Sequence, residues 1–353
     1  MKISFILPYA GLAGGVRVVA KLSEALIQQG DSVTAISCEL ERPSFKQRVK
    51  SALKGQGFSP VIDREPSHFD STNVEHIVAP HSPPIKAKYL PKADWVVATW
   101  FETANWVNDY PADCGKKAYF IQQYEANFGF SPELVDSTWK LPLRKIVCSA
   151  WLSDLAINRF NSPPLPVVNN GVDFNQFYSL GERQRNEVPT IGFLFSPPRN
   201  KGYEDLLEIT GMVRKVIPNA KVIAYGTIAP PRIIDNMEFR QRPEQESLRE
   251  IYCQCDVWLC ASTSEGFHLP PHEAMACRTP VVSTNVGGPC DMIQQGVEGF
   301  LRNPGENEKL ASDVLEILTC SPERWKQYSE AAFAKAKQFT WAQAAKNFKA
   351  ALS

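Results

Sequence analysis

Short apolar strands alternate with amphipathic helices twice along this chain, once before residue 168 and again from residue 189. The first series opens with KISFIL (2–7), turns through PYAGLAGG and enters VRVVAKLSEALIQQG. Val18, Val19, Leu22, Leu26 and Ile27 follow helical spacing on one apolar stripe, and Gly30 supplies the stop. SVTAIS is the next strand. Strand, glycine turn, helix and strand make a βαβ unit, whose crossover is right-handed and whose sheet is parallel. WVVATW (95–100), KAYFIQQ (117–123) and RKIVCSA (144–150) continue that series. PTIGFLF, a helix from 203, AKVIAYG, a helix from about 244, DVWLCAS, a helix from 271 and PVVST form the second. The expected architecture is α/β, with two doubly wound domains. Their spans are 1–168 and 189–330, with a linker at 169–188 and a helical tail at 331–353.

Length supports two cores, since one rarely grows beyond roughly 250–300 residues and this chain has 353. The 44% hydrophobic and 22% charged fractions exclude an intrinsically disordered chain. Lys+Arg and Asp+Glu both number 38, which argues against a protein that works by neutralising nucleic-acid phosphates. No apolar run approaches a membrane span, and the start reads as a first strand rather than a signal peptide. The nine cysteines are odd in number and scattered through apolar segments, so reduced core thiols in a cytoplasm are expected.

The turn Gly11-Leu-Ala-Gly14-Gly15 lies between a strand and a helix, where backbone N–H groups can meet an anion. It contains no G-x-G and the chain no GxxxxGK[ST], so dinucleotide and P-loop chemistry are not expected, although Glu39 and Glu41 stand where a ribose-binding acid would. The more informative stretch is Glu265-Gly-Phe-His-Leu-Pro-Pro-His-Glu273. Pro270 and Pro271 suit a first helical turn, so the preceding loop offers helix-start N–H groups to a diphosphate. Glu265 and Glu273 flank that anion site and would repel a bare phosphate, so hydroxyls of a sugar and a ribose are their natural partners.

EGFHLPPHEAMACRTPVVSTNVGG, with its E-x7-E spacing, resembles the retaining glycosyltransferases of family 4. GLAGGVRVVAKLSEALIQQGDSV, NNGVDFNQF, KGYEDLLE, GVEGFLRNP and FTWAQAAKNF resemble other segments of that family in order. The resemblance implies a GT-B fold of two facing Rossmann-like domains, with the acceptor on the first, the donor on the second and the final helix returning towards the first. It implies that Glu273 bonds the ribose, that Glu265 contacts the donor sugar or reacting centre, and that the N–H groups of Phe267, His268 and Leu269 meet the distal phosphate. It also implies that Lys201 neutralises the departing diphosphate, that Arg242 lines the base, and that Gly287 and Gly288 bring backbone to the donor sugar, with a mere turn as the alternative for the two glycines.

The chain departs from the family pattern at three points. Gly192 is followed by Phe193 where an Arg is usual, and Arg199 is expected to replace that charge. His268 stands where a Gly is typical. Gln122-Gln123-Tyr124-Glu125 replaces a His-Asp pair, in which Gln123 and Glu125 become acceptor-side candidates, and the substitution resembles a rhamnosyltransferase-like branch. Gly14, Gly15 and Trp100 are further candidates for an acceptor or phosphate site, although Trp100 serves equally as packing. His268 and His272 are not expected to hold a metal, because the proline pair prevents a shared helical face and no third ligand is near. No D-x-D occurs. Residues 42–54 carry five basic and no acidic side chains. They read as a solvated helix docked by its Phe45, Val49 and Leu53 edge, with anionic lipid at the inner face of a membrane as the alternative.

The expected function is retaining, metal-independent hexosyl or deoxyhexosyl transfer from a nucleotide diphosphate sugar to a glycan or lipid-linked acceptor, without a cofactor. The alternatives are a nucleotide-sugar epimerase or phosphorylase of the same fold, and a non-catalytic glycan-binding protein. Polysaccharide biosynthesis in the cytoplasm is the expected setting.

Overall fold

The computed structural model describes residues 1–39, 66–80 and 83–353. The basic 42–54 segment lies outside the described residues.

The first six strands are β1 (Lys2–Leu7), β2 (Ser32–Cys38), β3 (Glu75–Ala79), β4 (Trp95–Ala98), β5 (Lys116–Ile121) and β6 (Arg144–Val147). They form one sheet in the order β3-β2-β1-β4-β5-β6. β1 runs parallel to β2 from Lys2↔Ser32 and to β4 from Ile3↔Trp95. Val16, Val18, Val19, Leu22 and Leu26 of the helix Gly14–Gln28 are buried, while Ile27, at the edge of the stripe, is half-buried.

The second sheet contains β7 (Thr190–Phe195), β8 (Lys221–Gly226), β9 (Met237–Gln241), β10 (Val257–Cys260), β11 (Val281–Thr284) and β12 (Gly299–Arg302). Its order is β12-β11-β10-β7-β8-β9, with parallel pairs throughout. Helices Tyr203–Val216, Asn307–Thr319 and Pro322–Ala336 contribute to a core that includes Ile191, Phe193, Leu259 and Trp325. Both sheets therefore read as the doubly wound α/β class that strand–helix alternation predicts.

By packing, the chain divides into two compact units: unit 1 comprises residues 1–121, 132–146 and 348–353, and unit 2 comprises 122–131 and 147–347. Residues 147–168, which the sequence groups with the first domain, thus pack with unit 2. Val147 N donates to the Pro166 carbonyl at 3.0 Å, and Val168 N returns a bond to the Val147 carbonyl at 2.8 Å. The tail is two helices, Pro322–Ala336 and Trp341–Leu352, rather than one. Phe348 of the second lies 5.6 Å from Phe5 and 5.4 Å from Phe120, ring centre to ring centre, inside unit 1.

All nine cysteines are free thiols. No helix among the described residues is long and apolar enough to cross a membrane.

Candidate active site

In an open doubly wound sheet, ligands bind at the carboxyl ends of the strands where the strand order reverses. In unit 2 that reversal lies between β7 and β10, because β8 and β9 follow on one side and β11 and β12 on the other. The loops leaving these two strands carry Lys201 and Glu265. Topology alone therefore brings together two residues that are 64 positions apart.

Local bonds fix their approach. The Thr263 N–H donates to the Asn200 carbonyl at 2.8 Å, tying the turn Arg199–Lys201 to the loop after β10. Lys201 Nζ then donates to both oxygens of Glu265 at 2.8 Å, and Ser262 Oγ donates to Oε1 at 2.8 Å. The Phe128 ring lies 5.6 Å from the same ammonium. Burial opposes ionisation of Glu265, but the Lys201 ammonium, with the bonds from Lys201 and Ser262, holds its carboxyl below the usual range. Gly202 closes the turn at φ 68°, and a methyl there would stand 2.0 Å from the Ala261 carbonyl oxygen. Gly202→Ala should cost about 2 kcal/mol from the left-handed backbone and this clash, read as a lower denaturation midpoint. An unchanged midpoint would refute the close approach.

The helix Leu269–Ala276 begins two residues earlier than the sequence suggests. Pro270 and Pro271 occupy its second and third positions and lack N–H groups. The donors at this helix start are thereby limited to the segment ending at Leu269 until His272 is reached. His268 is the N-cap residue, at φ 73° and ψ 80°, a conformation uncommon for any residue but glycine. Its side chain is only 8% exposed, with Nε2 3.7 Å from Glu265 Oε1. Burial lowers the imidazole's pKa, which keeps it neutral at neutral pH. His272 points elsewhere: it is fully buried, with Nε2 3.3 Å from the Ala336 carbonyl oxygen. Among the described residues, no group of three or more His, Cys, Asp or Glu side chains is placed to hold a metal ion.

Gly287 and Gly288 press against this loop. Added methyls would lie 2.9 Å from Glu265 Cβ and 2.6 Å from the Phe267 carbonyl oxygen, respectively. Phe267 itself is buried. Gln122 and Gln123 also reach the loop, since a methyl on Gly266 would meet the Gln122 carbonyl oxygen at 1.8 Å and Gln123 Cβ at 3.1 Å. Asn127 Nδ2 donates to Ser264 Oγ at 2.9 Å, and Glu125, at the start of the same short turn, is buried. The Gly266 carbonyl accepts from Ser149 Oγ at 2.8 Å and Trp151 Nε1 at 2.9 Å. Ser149, Trp151 and Ser262 were not singled out from sequence; only proximity to β6 or to Glu265 marks them.

Glu273 sits one turn into the helix, 3% exposed, and accepts a 2.6 Å bond from Tyr252 Oη. Arg199 is exposed on the Lys201 turn. Arg242 is exposed after β9 and donates Nε to the Thr227 carbonyl at 2.9 Å. Phe193, where the resembled family has an Arg, lies inside β7 and is fully buried.

Unit 1 has its own reversal, between β1 and β4. The turn with Gly14 and Gly15 follows β1, and Trp100 follows β4, with Thr99 Oγ1 donating to the Ile6 carbonyl at 2.8 Å. Trp100 is half-buried, its ring 5.7 Å from that of Phe101.

With this geometry in place, residues 186–320 match the sequence profile of the family Glycosyl transferases group 1. The match covers the second strand–helix series, in which Lys201 and Glu265 lie. Across the whole chain, the fold is GT-B. The chain superposes on Anabaena HepE in complex with UDP-glucose with a TM-score of 0.74, 17% identity and coverage of 100% and 99% of the two chains. TarM gives a TM-score of 0.77 at 10% identity, covering 100% and 98%. Among curated relatives, the chain is 27% identical over 200 residues to the D-inositol 3-phosphate glycosyltransferase of Segniliparus rotundus, covering 50% of this chain and 44% of that protein. The Staphylococcus aureus capsular polysaccharide biosynthesis glycosyltransferase CapM is 24% identical over 42% of this chain and 44% of its own. The chain spans less than half the length of each of these relatives. The matched segment contains Lys201, Glu265, His268, Glu273 and both loop glycines.

Proposed function

We propose that this chain transfers a hexosyl or deoxyhexosyl unit from a nucleoside diphosphate sugar to a glycan or lipid-linked acceptor, with retention of configuration and without a metal ion. The observation that carries this reading is the Lys201–Glu265 pair at the sheet reversal, beside a helix start whose N–H donors are confined to a few residues. HepE bound to UDP-glucose supports a nucleoside diphosphate sugar as donor.

In this mechanism Lys201 and the N–H groups of Phe267, His268 and Leu269 face the diphosphate, whose negative charge grows as the bond to the sugar breaks. Fixed cations and N–H donors at such a position stabilise the transition state by several kcal/mol. The sugar–oxygen bond breaks with its electron pair leaving on the diphosphate. The acceptor oxygen bonds to the anomeric carbon on the same face, and its proton passes to the departing diphosphate oxygen. Glu265 meets the sugar, Glu273 the ribose, and Gly287 and Gly288 admit the sugar close to backbone.

A thermal-shift panel of UDP-, GDP-, ADP- and dTDP-sugars should raise the melting temperature with at least one donor, because a ligand that binds only the folded state stabilises it. NMR of the first-formed product should then show the donor's anomeric configuration. Silence across the panel would remove the reading, and an inverted product would remove retention.

A further inference from the structure

Two buried phenols stand behind Glu273, and neither has a part in the chemistry above. Tyr252 Oη lies 2.6 Å from Glu273 Oε2, and Tyr225 Oη lies 2.8 Å from Tyr252 Oη. The three groups come from separate elements: the end of β8, the helix Leu248–Cys253 and the helix Leu269–Ala276.

The direction of the chain follows from counting protons. A phenol has one, and an ionised carboxylate only accepts. Tyr252 must therefore donate to Glu273, which leaves Tyr225 to donate to Tyr252. The sequence is Tyr225 to Tyr252 to Glu273, with no freedom to reverse while Glu273 is charged. Burial, followed by the Glu273 charge and the second phenol, pushes the Tyr252 pKa well above its ordinary value, so it stays a donor at any working pH. Packing holds the phenols in place. The Tyr225 and Tyr252 rings meet edge to face at 6.2 Å, and Tyr252 stands 4.6 Å from Trp258 and 5.8 Å from Phe177.

We propose that Tyr252 is a positioning residue that fixes the Glu273 carboxylate for the ribose hydroxyls, with Tyr225 fixing the direction of the Tyr252 proton. A donor held on one carboxylate oxygen favours one rotation of the carboxylate plane. This rests on the reading, made above, that Glu273 holds the ribose.

The test is calorimetric, on the full chain. UDP, GDP and ADP are titrated into the wild type, followed by the 2′,3′-dideoxy form of whichever binds best. Tyr252→Phe should lose about tenfold in affinity for the ribonucleotide, the scale of one hydrogen bond to a charged group, and nothing for the dideoxy form. Tyr225→Phe should lose about threefold, in the same ribose-dependent sense. A Tyr252→Phe protein that keeps the full ribose preference overturns the proposal, as does an equal loss for both nucleotides, which marks a purely structural role. If Tyr252→Phe does not fold, Tyr225→Phe decides: an unchanged ribose preference overturns the proposal. A wild type that binds no nucleotide removes the parent reading and this one with it, whereas one that binds without ribose preference removes only the role of Glu273 and its phenols.

Discussion

Replacing Lys201 by alanine should lower turnover roughly 10²–10³-fold, the usual loss when one electrostatic contact to developing charge is removed. The structure attaches a second consequence. Glu265 is buried, and Lys201 Nζ contacts both of its oxygens. Without the ammonium, a buried carboxylate is left with a hydroxyl partner in Ser262 and a neutral imidazole nearby. Stranding one member of such a pair costs about 3 kcal/mol. Lys201→Ala should therefore melt early as well as turn over slowly. Lys201→Ala combined with Glu265→Gln separates the two effects, because a neutral amide needs no counter-charge. The double variant should recover most of the melting temperature and none of the turnover. If stability and turnover recover together, Lys201 acts only as a structural counter-ion, and its role towards the diphosphate is wrong.

Stability should also fall as the solution is acidified from neutral pH, with His272 as a main cause. In an unfolded chain an imidazole titrates near 6.5. In the fold, burial, only partly offset by the Ala336 carbonyl, lowers it to about 4. Between those values the unfolded chain binds a proton that the folded chain refuses, so acid favours unfolding. The contribution is complete above about pH 6.5 and is lost as the pH falls to about 4, amounting to roughly 3 kcal/mol. His272→Phe keeps an aromatic ring against Phe267 and Phe339, which meet His272 edge to face, and has nothing to titrate. Its denaturation midpoint should vary less between pH 7 and pH 4.5 than that of the wild type. Identical slopes in the two proteins would show that His272 does not govern acid stability.

The parts of the fold that were legible in the sequence, and those that were not, divide along the sheets. Strands such as KISFIL and DVWLCAS announce themselves because central strands of parallel sheets are covered on both faces and need continuous apolar runs. β3, β9 and β12 were not read, and each is an outer strand. EHIVA, MEFRQ and GFLR are partly exposed along most of their length, so they carry charge where the inner strands carry valine. The helix Asn307–Thr319 was also missed, although its buried leucines and valine are helically spaced.

Within the site, Lys201 and Glu265 were recognisable as separate motifs, but their pairing was not, because it depends on the order in which strands join the sheet. Tyr252 was invisible for a different reason. A tyrosine between Ile251 and Cys253 reads as packing, and only the position of its hydroxyl distinguishes a positioning role. His268 was noticed as a departure, but its left-handed backbone and burial beside Glu265 are facts of three dimensions.

The helix Trp341–Leu352 bears on the order of events during synthesis. Phe5 and Phe120, both made well before it, receive Phe348 as a packing partner. Arg144 and Asp31 likewise bond the Ala351 carbonyl and the Lys349 ammonium. A nascent chain therefore carries an incomplete first core until the helix Trp341–Leu352 has been translated. Domains that fold as they leave the ribosome usually do so from the N-terminal end. Here unit 1 has residues 1–121 and 132–146 in hand before the main run of unit 2, 147–347, is made, and lacks only 348–353. The earlier-made unit therefore waits on the later one for its last helix, and a chain stalled before residue 348 would display the apolar faces of Phe5 and Phe120 that Phe348 covers.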